Sequence, residues 1–166
     1  MLGIIAYGSL INPQEAENLL GCPTHIIPIK LTSFKRSFNQ RPAWRRNTNE
    51  HSAVLNVQTS EHNWLNAVCY CFSGFNFSVL DNRERGYSRT AIQLDKINCY
   101  QGHNLPFLEE ICIYLGKTEH QDDTLLPNPD YLDICLAGAK NWGEDFYRDF
   151  LNTTHINNRI MLREYL

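Results

Sequence analysis

The stretch Gly3-Ile4-Ile5-Ala6-Tyr7-Gly8-Ser9-Leu10 constrains this chain more than any other. Leu2, Ile4, Ile5 and Ala6 form a short apolar run, the pattern of a strand covered on both faces. Gly8 then permits a sharp turn and leaves backbone N–H groups open to a ligand. Asn12 is placed to cap a helix, Pro13 suits its first position, and Glu15 lies three residues on, as in a capping box. The expected product is a backbone pocket at a strand end beside a helix N-terminus. Such a pocket attracts a carboxylate, a phosphate or a developing oxyanion. A strand–turn–helix that merely begins the fold has the same pattern.

The remaining chain supplies enough material for one domain over residues 1–166. Its formal net charge is -3, which implies no general attraction to nucleic acid. One basic cluster stands out: Lys35, Arg36, Arg41, Arg45 and Arg46, interleaved with Phe34, Phe38 and Trp44. It reads as a solvated strand edge or loop, with a nucleic-acid patch as the lesser alternative. There is no basic-then-apolar leader pattern and no apolar run of membrane-spanning length, so a cytoplasmic protein without membrane association is expected. The six cysteines then read as reduced core residues. No ligand spacing suggests a metal.

The periodicity predicts a helix over 13–20 stopped by Gly21, and a strand over 26–37. A polar loop over 39–50 follows, then separate strands over 53–57 and 64–72. A short helix begins at Ser78 as N-cap and ends at Gly86. Strand character returns over 87–100 and 111–115, and an acidic loop covers 116–130. Tyr131, Ile134, Cys135, Gly138 and Ala139 share a helical face; Gly143 interrupts, and Phe146, Tyr147, Phe150 and Leu151 resume the period. Residues 157–166 read as a last short helix or tail. The sum is an α+β fold: a mixed, mostly antiparallel, barrel-like sheet with flanking helices.

Glu84 is the best catalytic candidate. It stands between Arg83 and Arg85, with Arg89 nearby, where an ordinary surface ion pair is the competing explanation. A carboxylate near a carbonyl-binding pocket can move a proton between two nitrogens. No serine-type nucleophile motif, Walker motif or Rossmann fingerprint is present.

Taken together, these blocks resemble the gamma-glutamylcyclotransferases and their ChaC-like relatives. Tyr7-Gly8-Ser9-Leu10 after an N-terminal strand resembles that family's YGSL signature. Leu80 to Tyr87 is similar to the segment carrying its catalytic glutamate before a glycine and a tyrosine. Pro129-Asp130-Tyr131 followed by Gly138-Ala139-Lys140 resembles the start of its C-terminal helix. Trp64, Ala67, Val68 and Tyr70, and the strand from Ala53 to Val57, resemble its core strands. The resemblance implies cofactor-independent cleavage of a small γ-glutamyl compound to 5-oxoproline and a free amine. It implies Tyr7, Gly8, Ser9 and Leu10 as the substrate loop, Glu84 as acid/base and Tyr131 as a substrate contact. A γ-glutamylated lysine or amine, a biosynthetic intermediate, or a non-catalytic binding role for the same fold are the alternatives. Two departures bear on the leaving group: a single glycine between Glu84 and Tyr87, and the long acidic stretch 116–130. Oligomeric state is left open.

Overall fold

A computed structural model of the chain describes residues 1–42 and 52–166. Strand β1, Leu2–Ala6, is buried from Gly3 onward and lies inside the sheet. It leads through Tyr7 and Gly8 into a single 3-10 turn, Ser9–Ile11, and then helix α1, Pro13–Leu20. The helix starts as its sequence predicts: the Asn12 side chain accepts the Gln14 N–H at 3.0 Å, and Pro13 occupies the first position. Asn12's own N–H goes to the Ser9 carbonyl, so it is not held by a capping-box contact from Glu15. Gly21, at φ 78, ends the helix in a conformation that favours glycine.

The long pair β2, His25–Gln40, and β3, Ser52–Phe72, forms the spine. Two strands were expected where β3 runs unbroken. Residues 58–64 of β3 are partly or fully exposed and polar-rich, which conceals the strand in the sequence, although the backbone carries straight through. The pairing shifts register between Thr32 and Phe34, where Ser33 takes a left-handed φ of 68, and again between Phe38 and Gln40. Asn39 and Gln40 belong to β2 rather than to a loop. The rest of the loop expected over 39–50, with Trp44, Arg45 and Arg46, lies from residue 43 onward outside the described residues.

Helix α2, Ser78–Arg83, follows. Ser78 is not its cap. Asn76 Oδ1 instead accepts from the Ser78 N–H and hydroxyl, and the helix stops before Glu84, ahead of Gly86. The single strand expected over 87–100 is two short ones, β4 (Tyr87–Ala91) and β5 (Ile97–Cys99), divided by a 3-10 turn. Strand β6, Glu110–Gly116, is apolar as its sequence suggests. The stretch 116–130 contains a 3-10 turn, a two-residue strand β7 (Leu126–Pro127) and the beginning of helix α3 (Pro129–Asn141). Gly143, at φ 94, separates α3 from α4, Glu144–Thr153. Strand β8 (Thr154–Ile156) follows α4 directly; within 157–166 the expected last short helix forms as α5, Leu162–Tyr165, preceded by a strand, β9 (Ile160–Met161), that was not expected.

Among the described residues the sheet order is β4-β6-β1-β3-β2-β8-β9, an open α+β arrangement. β1 runs parallel to β6 and antiparallel to β3. Helix α3 packs on the turn after β1, so closely that a Cβ on Gly138 would strike the Asn12 backbone. Trp142 Nε1 donates to the Ile11 carbonyl at 2.8 Å and closes the same contact. Leu132, rather than Ile134, shares the buried face of α3 with Tyr131 and Cys135.

Among the described residues the basic cluster departs in part from the solvated edge expected of it. Phe34 and Phe38 are core residues, and Arg36 is fully buried. Arg41 is exposed and pairs with Asp122 at 2.7 Å. All six thiols are free, but Cys22 is exposed and Cys99 half-buried, so only four of them are core residues. Among the described residues no helix is long and apolar enough to cross a membrane, and no cluster of metal-binding side chains occurs.

Candidate functional site

The C-terminal ends of the parallel strands β1 and β6 lie side by side, and a cavity opens there. Its empty volume, open mouth included, is about 440 Å³. Tyr7, Gly8, Ser9 and Leu10 form one wall. Glu84, Leu80 and Tyr87 form the opposite one, with Tyr114 from β6, Leu55 from β3 and Tyr131 from α3 completing it. All six residues singled out in the sequence therefore line one cavity.

The sequence produces this meeting in separate steps. The 3-10 turn folds the chain back over the end of β1, with the Ile11 N–H bonded to the Gly8 carbonyl at 3.0 Å. Asn128 caps α3 by accepting the Tyr131 N–H at 2.9 Å, which fixes Tyr131 in the first turn. From there the Tyr131 hydroxyl accepts the Ser9 N–H at 3.3 Å. It lies so close over Gly8 that a Cβ there would collide with it. The glycine is required by proximity.

Glu84 caps the end of α2, its N–H bonded to the Leu80 carbonyl at 2.8 Å. The turn after it is held from below. Gln40 Nε2 donates to the Gly86 carbonyl at 2.9 Å, and the Lys117 N–H donates to the same oxygen at 3.0 Å. The Asn56 side chain accepts the Gly116 N–H at 2.8 Å, so Gly116, paired with Tyr87, is fixed as well. These contacts orient Glu84 into the cavity with its side chain only 14% exposed. Burial pushes its pKa above the ordinary carboxylate value, and nearby Arg83 opposes that rise. Arg83 Nε lies 3.6 Å from Glu84 Oε1, and Arg83 Nη2 reaches the Ser9 hydroxyl at 3.5 Å. Glu84 is thus no surface ion pair. Arg89, a further basic neighbour in sequence, turns away to Asp81 at 3.2 Å and stacks on Phe77.

Two further tyrosines, Tyr87 and Tyr114, contribute that the sequence reading did not place in the site, and Tyr7, which it did place there, is tied to one of them. The Tyr7 hydroxyl donates to the Tyr114 carbonyl, tying β1 to β6 across the cavity floor. The Tyr87 hydroxyl donates to the Leu55 carbonyl at 2.8 Å. The Tyr114 hydroxyl donates to Asp81. Burial, reinforced by the Glu84 charge, raises the pKa of Tyr7, and burial does the same for Tyr87. Both therefore remain protonated at neutral pH and act as hydrogen-bonding spacers, and Glu84 is the carboxylate among the residues lining the cavity. A tyrosine within the apolar run Ile111 to Leu115 was a usable signal, because a buried phenol requires a partner for its hydroxyl.

The arrangement places a partly desolvated carboxylate opposite a turn rich in backbone N–H groups. Among the cavity residues described, Ser9 is the one hydroxyl of nucleophile type, and no histidine lines the wall beside it. Proton transfer and anion binding are the chemistry such a wall can perform.

By shape, the chain is similar to a solved structure described as a gamma-glutamyl cyclotransferase. The TM-score is 0.69 at 18% identity, covering 89% of this chain and 85% of that one. A human protein described as uncharacterised matches at TM-score 0.68 and 19% identity, over 89% of this chain and 85% of its own. A yeast gamma-glutamyl cyclotransferase described as specific to glutathione matches at TM-score 0.51 and 16% identity, over 83% and 79%. No family model and no curated protein sequence matches the chain.

Proposed function

We propose that this chain, which has the gamma-glutamyl cyclotransferase-like fold, cleaves a small γ-glutamyl compound to 5-oxoproline and a free amine. The observation that carries the reading is Glu84: a largely withdrawn carboxylate, its side chain 14% exposed, that lines the same cavity as the Tyr7–Leu10 turn. The substrate's α-amine attacks its own γ-carbonyl carbon, forming the ring C–N bond as the original amide C–N bond breaks. No protein nucleophile is needed. The cavity's task is to hold the glutamyl chain curled, which makes the attack intramolecular and oriented. Glu84 accepts a proton from the α-ammonium and returns one to the departing nitrogen. A carboxylate with a raised pKa is the better base for that transfer. Backbone N–H groups of the turn bind the glutamyl carboxylate or steady the oxyanion, and Tyr131 holds the turn in place. The reading needs no cofactor, and it takes the cytoplasm as the compartment and residues 1–166 as one acting domain.

The test is 5-oxoproline release from glutathione, γ-glutamyl-alanine, γ-glutamyl-lysine and γ-glutamyl-propylamine, wild type beside Glu84→Gln. Release from any member that disappears in the folded variant supports the reaction and identifies the leaving group. Release that persists in folded Glu84→Gln removes Glu84 from the mechanism. Binding without release from any member favours a non-catalytic binder of the same fold.

A further inference from the structure

Directly behind the substrate turn lies a buried cation that the proposed mechanism does not use. Arg36, on β2, is 0% exposed. Its guanidinium makes five hydrogen bonds: to Thr154 Oγ1 at 2.8 Å, Tyr7 O at 3.2 Å, Asn66 O at 2.7 Å, Asn66 Oδ1 at 2.7 Å and Thr153 Oγ1 at 3.1 Å. That number matches the five N–H donors of the group. The ring of Phe150 lies 4.1 Å from its central carbon. Every acceptor is neutral. None of these partners is a carboxylate, so the charge is hydrogen-bonded but not neutralised. Burial lowers its pKa to about 9, which leaves it charged at neutral pH.

An uncompensated buried charge is costly, and chains retain one mainly where it has work to do. The contact to Tyr7 O indicates that work. Tyr7–Gly8 is a trans peptide, since no cis bond occurs among the described residues. The C=O and N–H of a trans peptide point in opposite directions. By holding the Tyr7 carbonyl, Arg36 turns the Gly8 N–H away from itself, and it polarises that peptide so that its N–H end becomes more positive. The cavity wall formed by Tyr7 to Leu10 therefore carries a positive potential supplied from behind.

We propose that Arg36 is a positioning and specificity-determining residue for the α-carboxylate of the γ-glutamyl substrate: it orients the Tyr7–Gly8 peptide and supplies, without touching the ligand, the charge that selects an anion at that turn. This rests on the function proposed above. The carboxylate is present in ground state and transition state alike, so the effect falls on binding and leaves the chemical step nearly unchanged.

The product makes the best probe, because it is common to every leaving group. Wild type, Arg36→Gln, Arg36→Lys and Asn66→Asp are titrated with 5-oxoproline and with its neutral carboxamide, 5-oxoprolinamide. Asn66→Asp keeps Arg36 in place and sets a carboxylate against it, giving a second route if Arg36→Gln does not fold. A charge roughly 8 Å away at an effective dielectric constant of about 20 is worth about thirtyfold in affinity. The expected result is a loss of that order for 5-oxoproline in Arg36→Gln and Asn66→Asp, with the carboxamide changed little and Arg36→Lys recovering much of the anion preference. In turnover the same two variants raise KM and leave kcat within a few-fold. Equal losses for both probes, in variants that remain folded, overturn the proposal and leave Arg36 a structural residue while the cyclotransferase reading stands. Failure of wild type to bind either probe or to release 5-oxoproline overturns both.

Discussion

The Tyr131 hydroxyl and Gly8 occupy space that only one of them can hold. The phenol reaches from the first turn of α3, accepts the Ser9 N–H at 3.3 Å, and lies where any side chain at position 8 would begin. A residue from late in the chain thus sets the shape of a turn near its start. Neither can change size without the other.

This coupling predicts a compensating pair. Gly8→Ala forces the turn and Tyr131 apart and reduces 5-oxoproline release at least tenfold, with an overpacking cost of about 1–3 kcal/mol in stability. Tyr131→Phe removes the colliding oxygen along with the acceptor for Ser9. In the double variant, urea denaturation shows less destabilisation than the sum of the single changes, a coupling of about 1 kcal/mol or more. Strict additivity would mean that the two residues do not meet as described.

Glu84→Gln separates function from stability. Loss of the acid/base lowers kcat/KM by about 10²–10⁴-fold. Glu84 has a folded-state pKa raised by burial. Its stabilising contribution is therefore full below the unfolded value and lost as pH rises through the folded one. The charged form weakens the fold at neutral pH, so Glu84→Gln raises Tm at pH 7, and the gain fades once the pH falls below the unfolded carboxylate value. Thermal unfolding at both pH values checks this.

The same pKa direction governs activity. Glu84 must be ionised to accept the α-ammonium proton, so the acid limb of kcat/KM lies above 4.5, the ordinary glutamate value. Replacement by Gln removes that limb from whatever residual rate remains. A limb at the ordinary value would mean that Glu84 titrates in contact with water.

Gly116 tests the support beneath Glu84. A Cβ there would collide with the side chains of both Gln40 and Asn56. Those two residues hold the Gly86 carbonyl and the Gly116 N–H. Gly116→Ala is expected to cost about 1–3 kcal/mol by urea unfolding and to lower kcat, because the turn that aims Glu84 shifts with its supports. Unchanged kcat in a destabilised variant would show that the turn holds its position without them.

Gly138→Ala probes the opposite wall. Its Cβ would meet Asn12 backbone atoms 2.7–2.8 Å away, so α3 must move off the turn that follows β1. A loss of about 1–3 kcal/mol is expected together with a raised KM, since Tyr131 travels with the helix. Measuring Tm and KM in one preparation tests both effects.

Much of the framework was written locally. The run from Leu2 to Ala6, the Asn12 cap, Pro13 and the stop at Gly21 each depend on residues within a few positions of one another, and each forms as its pattern predicts. The elements that departed from expectation are those whose pattern is decided elsewhere. β3 is continuous because β2 pairs with it on both sides of a polar stretch, a partner that local hydropathy cannot register. β8 is three residues long and exists because β2 offers Arg36 to Phe38 as its edge.

The candidate site divides along the same line. The sequence by itself singled out the candidate residues, because a tight Tyr-Gly-Ser-Leu turn and a glutamate ahead of a glycine are local statements. Only the tertiary structure decided that the Glu84 carboxylate is largely withdrawn from solvent on the wall of a cavity. The cavity that shields it also takes Tyr7 and Leu55 from segments distant in the chain. The fate of Arg36 was equally invisible. In sequence it is one of several cations on a basic stretch. Its long side chain enters the core because acceptors from the turn after β1 and from β3, α4 and β8 converge to receive it. Hydrogen-bond partners for a buried charge are collected in space, and no window of sequence contains them all.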